Sequence, residues 1–110
     1  MALLLHETGH AHYEQLVHTK PSLAERIRHS WADMNHRKKM FAVDYLYGED
    51  SRVGDYRFSP SEFAAEFYLF YVTSGERLED FIAAAPRKIG KAWKEVYAVF
   101  KESFGGIEYR

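Results

Sequence analysis

The stretch LLLHETGHAHYEQL, residues 3–16, decides how the rest of the chain is interpreted. It contains no proline, and apolar residues lead directly into the pentapeptide HETGH, residues 6–10. This pattern predicts a helix over residues 2–18 that ends ahead of the next proline. Residues four apart on a helix lie one turn apart on nearly the same face, so His6 and His10 can direct their imidazoles at one point.

The spacing His-Glu-x-x-His is typical of zinc-dependent proteases, and it has a chemical reason. A catalytic zinc ion takes three protein ligands and leaves a fourth position for water, and the two histidines supply two of the three. Glu7 lies about 60° around the helix from His10, so it can reach that water without binding the metal. Zinc lowers the pKa of its water from about 15.7 to about 7, and Glu7 can pass the released proton to a leaving amine. We therefore predict that His6 and His10 bind Zn²⁺ and that Glu7 is the general base.

The alternative interpretation of HETGH is a pair of surface histidines on an ordinary helix. Against it, ALLL at residues 2–5 places the motif on a buried helix, where unpaired imidazoles would be costly. Gly9 gives a second indication, because glycine destabilises a helix by about 1 kcal/mol relative to alanine. Its presence predicts that another element packs closely against this position.

Length and composition restrict the class of protein. The 110 residues suit a single domain, predicted over residues 1–110, and 46% hydrophobic and 16% aromatic residues are typical of a globular chain. A net charge of -1 gives no reason to expect a nucleic-acid partner, and HRKK at 36–39 is interpreted as a solvated helix face. The chain has no cysteine, which excludes disulfides and thiolate zinc sites and leaves the compartment open. No apolar run approaches the length of a membrane span, so no membrane partner is predicted.

The hydrophobic pattern predicts an all-α fold of four or five helices. Ser59 and Pro60 are the predicted N-cap and first residue of the third helix, and Gly75 and Pro86 are the predicted breaks. Strand signals are nearly absent. The predicted helices cover 2–18, 22–46 (continuous or broken), 60–73, 76–85 and 87–103, with a main loop at 47–59 and Gly105-Gly106 ending the last helix.

A zinc site built on two histidines needs a third donor, which a chain without cysteine supplies from histidine or a carboxylate. Glu62 and Glu66 lie four apart on one side of the aromatic helix, and acidic side chains in apolar surroundings favour a cation beside them. The residues alone leave the ligand open, because Glu62 also suits a capping box with its carboxylate turned to the Ser59 amide, which would leave ligation to Glu66. The remaining histidines are interpreted as surface residues: His12, His18, His29 and His36.

Three segments resemble the gluzincin peptidases of the anthrax lethal-factor type, which include the Pro-Pro endopeptidases. LLLHETGHA (3–11) is similar to the active-site helix of that family, and DYRFSPSEFAAEFYLFYVTS (55–74) resembles its segment in which a tyrosine precedes an E-x-x-x-E helix. APRKIGKAWKEV (85–96) is similar to the closing helix of lethal-factor-like domains. The resemblance covers nearly the whole chain and implies a zincin-like fold.

The resemblance implies a role for each matching residue. Glu62 would be the third zinc ligand, Glu66 would support the site from behind, and Tyr56 would stabilise the oxyanion. Tyr56 lies six residues before Glu62, one fewer than the family's pattern, and the residues alone also allow a loop aromatic that covers the core. The implied reaction is hydrolysis of peptide bonds in a peptide or protein substrate, with a preference near proline. The resemblance suggests secretion, which is usual in that family, and the sequence itself leaves localisation unknown.

The resemblance also implies a small β-sheet ahead of the HETGH helix, whose edge strand would pair with an extended substrate. Since no residues ahead of residue 2 could form it, we expect the catalytic half of a zincin with that sheet absent or minimal. The apolar face of residues 2–5 would then be covered by a second copy or a partner chain. Three alternatives remain open: a zinc-binding but weakly active fragment that works by assembly, a cytoplasmic repressor-cleaving protease, and a helical interaction domain without metal.

Overall fold

The structure is a computed structural model that describes residues 2–33 and 59–109, with side chains from Leu4 onward. In these ranges the chain is mainly helical and contains no strand, which confirms the all-α prediction at that level. The predicted helix at 22–46 is confirmed as far as Asp33, while its remainder and the predicted loop up to residue 58 lie outside the described residues. The helices are α1 (Ala2–Thr19), α2 (Pro21–Asp33), α3 (Pro60–Ala84) and α4 (Arg87–Ser103).

The start of α3 follows the local signals in its sequence. Ser59 is the N-cap, and its Oγ accepts a hydrogen bond of 3.0 Å from the backbone N–H of Glu62. Pro60 occupies the first helical position, where its missing N–H costs nothing. The cap and the proline together fix the backbone of the turn that carries Ser61 and Glu62.

The predicted break at Gly75 is confirmed, because α3 consists of two helical segments that meet at a kink beside this glycine. The backbone leaves helical geometry at Ser74 (φ -155°, ψ 52°) and the helix then continues to Ala84. The chain's C-terminal segment docks at this kink, where the Gly75 N–H donates a 2.7 Å hydrogen bond to the Tyr109 carbonyl. A Cβ on Gly75 would lie 2.1 Å from that carbonyl oxygen, so glycine is required for the contact.

The other predicted breaks are confirmed. Pro86 lies between α3 and α4, and α4 ends at Ser103 just ahead of Gly105 and Gly106. Both glycines have positive φ, 66° and 89°, a conformation that L residues with a side chain rarely adopt. The chain can therefore turn back from α4 toward the kink in α3.

Within residues 2–33 and 59–109, one hydrophobic cluster joins the four helices. The helix α1 packs mainly on α3, and α2 packs mainly on α4. At the first of these crossings, a Cβ on Gly9 would lie 2.8 Å from the Ala65 carbonyl oxygen, which confirms the predicted close packing at Gly9. The HETGH motif is thereby placed opposite the first turn of α3. The large buried members of the cluster include Leu16, Leu23, Ile27, Phe63, Phe67, Phe70, Tyr71, Leu78, Trp93, Val96, Val99 and Phe100.

Candidate metal centre

Two histidines of α1 face one carboxylate of α3. The Nε2 atoms of His6 and His10 are 3.1 Å apart. The Glu62 Oε2 atom lies 3.2 Å from His6 Nε2, and Glu62 Oε1 lies 2.8 Å from His10 Nε2. Ligand atoms about 2.0–2.1 Å from a tetrahedral zinc ion are about 3.3 Å from one another. The observed separations are close to that value, so the donor set fits a small tetrahedral cation.

The Glu62 side chain is turned toward the histidines. Its carboxylate makes both short contacts with the imidazoles, while its backbone N–H is the group that bonds to Ser59. The alternative in which the Glu62 carboxylate turns back to the helix cap is therefore not the arrangement in this structure.

Glu66 lies behind His6, on the opposite side of the imidazole from Glu62. Its Oε1 is 2.7 Å from His6 Nδ1, and the exposed fractions of His6 and Glu66 are 2% and 0%. His6 Nδ1 and both Glu66 oxygens are buried, and their short contact is the polar contact that the described residues offer them. A carboxylate can only accept a hydrogen bond, so with Glu66 ionised the proton of a neutral His6 is on Nδ1 and its Nε2 presents a lone pair.

This arrangement attracts positive charge. Burial lowers the pKa of His6, but the hydrogen bond to Glu66 and the charges of Glu66, Glu62 and Glu7 outweigh it and raise the pKa above 6.5. Burial also raises the pKa of Glu66, against the effect of its hydrogen bond with His6. The lone pair of a neutral His6 Nε2 would face the Glu62 oxygen, acceptor to acceptor. A proton or a metal cation between them removes that conflict.

His10 has its own partner on the second ring nitrogen. Its Nδ1 lies 2.7 Å from the Ser61 Oγ. Each imidazole therefore has a polar partner at its Nδ1 atom, while its Nε2 atom faces the other histidine and Glu62. Sequence reasoning missed Ser61. The signal that could have found it is its position directly before Glu62 in the first turn of α3, where a short hydroxyl side chain can reach the same pair of histidines.

Glu7 lies at the solvent side of the site. It is exposed, and one ligand atom from each of His6, Glu7 and His10 falls within 4.8 Å of the others. These three side chains are close enough to hold a metal ion together, and the same position suits a base beside an ion held by the histidines. Tyr56, the residue implied as oxyanion donor, lies outside the described residues.

His12, interpreted from the sequence as a surface residue, is half-buried. Its ring stacks on Phe104, with centroids 5.2 Å apart and an interplanar angle of 3°, and its Nε2 is 3.2 Å from the Ser103 Oγ. Burial lowers the pKa of this histidine. The aromatic end of α4 covers it, on a face of α1 different from the one that carries the metal-site histidines. His18 and His29 are exposed as predicted, and His36 lies outside the described residues.

Comparison with known proteins identified no related protein. No protein-family model matches the chain, and no curated protein and no solved structure matches it. Among the described helices, none is long and apolar enough to cross a membrane. The functional conclusion therefore depends on the geometry of the site.

Proposed function

We propose that this chain is a zinc-dependent endopeptidase of zincin-like architecture. The observation that carries the proposal is the convergence of His6 Nε2, His10 Nε2 and the Glu62 carboxylate at separations of 2.8–3.2 Å. The buried Glu66 carboxylate behind His6 supports it, because a ligating histidine usually donates its other ring N–H to such a group. The resemblance to lethal-factor-like gluzincins points to the same residues.

Zinc suits this donor set better than the other common cations. Two imidazole nitrogens and one carboxylate are typical ligands of catalytic zinc, whereas Mg²⁺ and Ca²⁺ prefer oxygen ligands throughout. When bound, Zn²⁺ supplies Lewis acidity and lowers the pKa of a water molecule. In this proposal His6, His10 and Glu62 hold the ion, and Glu66 keeps the His6 ring oriented toward it.

Glu7 performs the proton transfers of peptide hydrolysis. Its carboxylate accepts a proton from the attacking water as the new C–O bond forms on the substrate carbonyl carbon. It then delivers that proton to the departing nitrogen as the C–N bond breaks. Tyr56 is proposed to donate a hydrogen bond to the negatively charged carbonyl oxygen. A peptide or protein is the substrate, and the preference near proline is proposed from the family resemblance.

The test is cleavage of a quenched fluorescent peptide library by the wild type and by Glu7→Gln. We expect the substitution to lower the rate by roughly 10²–10⁴-fold while the zinc content stays the same, because Glu7 acts on protons and does not bind the metal. Glu14→Gln is the matched control, since Glu14 is an exposed carboxylate on the same helix and should leave the rate unchanged. Equal cleavage by wild type and Glu7→Gln would refute the role of Glu7.

A second candidate function is favoured by one specific observation. Leu4, two residues before His6 on α1, is 65% exposed. A second chain that covers this leucine would bury apolar surface that is open to solvent here. The chain would then bind zinc and work through assembly, with little cleavage of its own. Stoichiometric zinc without Glu7-dependent cleavage, together with an oligomer that Leu4→Glu dissociates, would favour this candidate over the endopeptidase.

A further inference from the structure

Ser61 is placed against the metal site by the backbone of α3. It follows Pro60, whose ring fixes φ, and it lies within the turn that the Ser59 Oγ caps through the Glu62 N–H. Its Oγ lies 2.7 Å from His10 Nδ1. A serine side chain has a single rotatable bond before its oxygen, so the position of this hydroxyl follows closely from the fixed helix start.

The two histidines therefore have different partners on their Nδ1 atoms. His6 faces the Glu66 carboxylate, which is negatively charged when ionised and can only accept, whereas His10 faces a neutral hydroxyl that can accept or donate. The exposed side-chain fractions differ as well, 3% for His6 and 26% for His10. His10 is the more exposed of the two rings, so it has fewer packing contacts to hold it in place.

We propose that Ser61 is a positioning residue that holds the His10 ring with its Nε2 directed at the metal. This inference rests on the proposed zinc site. In the loaded protein the Nε2 lone pair of His10 binds the ion, so the remaining ring proton is on Nδ1 and is donated to the Ser61 Oγ. Without that bond the partly exposed ring can rotate away from the point where Glu62 and His6 converge.

The test compares zinc affinity, measured by competition with a chromophoric chelator, in the wild type and three serine variants. Ser61→Ala should bind zinc roughly 10–100-fold more weakly, and Ser61→Thr, which keeps the hydroxyl, should stay within about threefold of the wild type. Ser103→Ala is the matched control, because it removes a hydroxyl 3.2 Å from His12, a histidine outside the site, and should leave affinity unchanged. Metal-free Ser61→Ala should keep the wild-type melting temperature, which separates positioning from folding.

A second readout follows the proton itself. In imidazole ¹H–¹⁵N spectra of the zinc-loaded wild type, His10 should carry a proton on Nδ1 that exchanges slowly with water, and this protection should be lost in Ser61→Ala and kept in Ser61→Thr. Equal zinc affinity in Ser61→Ala and Ser103→Ala, or a zinc-loaded His10 without a proton on Nδ1, would overturn the role of Ser61 alone. A wild type that takes up no zinc would refute the proposed function and this inference with it.

Discussion

Gly9 of α1 lies so close to Ala65 of α3 that a Cβ on Gly9 would be 2.7 Å from the Ala65 Cα atom. The neighbour is backbone, which cannot move aside as a flexible side chain could. His10 follows Gly9 directly, and Glu62 and Glu66 lie within one turn of Ala65. The contact that packs the two helices therefore also sets the distance across the metal site.

Gly9→Ala should destabilise the protein although alanine is the better helix former. Overpacking costs about 1–3 kcal/mol, which outweighs the gain in helix propensity of about 1 kcal/mol. The alanine methyl should also push α1 away from α3 and so weaken zinc binding. Urea unfolding of the metal-free protein measures the loss of stability, and chelator competition measures the loss of zinc affinity. Thr8→Ala is the control, because Thr8 is exposed and its hydroxyl donates to the Leu4 carbonyl of its own helix. A Gly9→Ala protein that is more stable than the wild type would contradict the close packing.

Glu66→Gln should separate metal binding from stability. The amide keeps the shape and an acceptor for His6 Nδ1 but loses the charge, so zinc affinity should fall roughly 10–100-fold. The metal-free protein should lose no stability, because a buried carboxylate is itself costly. Chelator competition and thermal unfolding measure the two effects, with Glu14→Gln as a control on an exposed carboxylate. Unchanged zinc affinity in Glu66→Gln would show that Glu66 does not support the site.

Alkaline pH should weaken the docking of the C-terminal segment on α3. Burial, with the charges of Glu108, Tyr109 and Glu79, raises the pKa of Tyr71 from 10.0 to about 12. Its hydroxyl donates a 2.6 Å hydrogen bond to the Ile107 carbonyl, so the fold favours the neutral phenol.

Because the folded pKa of Tyr71 is the higher one, its contribution to stability is complete below pH 10.0 and falls as the pH rises toward about 12. The melting temperature of the wild type should therefore approach that of Tyr71→Phe over this range. A difference between the two proteins that stays constant with pH would contradict this account of Tyr71.

Much of the fold follows from local sequence signals. The boundaries of α4 and the start of α3 are as predicted, because Pro86, Ser59 and Pro60 act on their own immediate backbone. The contact that requires glycine at position 75 could not be predicted, since it is made with the carbonyl of Tyr109, more than thirty residues further along the chain.

For the site as well, the sequence predicts which residues are involved but not how they pair. The pattern His-Glu-x-x-His places the histidines on one face of a helix, but it cannot say which of Glu62 and Glu66 faces which ring nitrogen. That assignment depends on how α1 crosses α3, and the same crossing brings Ser61 to His10. The aromatic surroundings of His12 likewise depend on how α4 packs on α1, and the spacing of residues within α1 cannot predict that packing.

The zinc content of the purified protein tests the central claim most directly. Metal analysis of the wild type, Glu62→Ala, His6→Ala and the control Glu14→Gln reports whether the converging side chains bind the ion. We expect one zinc ion per chain in the wild type and in Glu14→Gln, and a large loss of zinc in the two site variants. Equal zinc in all four proteins, or none in the wild type, would contradict a metal site at His6, His10 and Glu62.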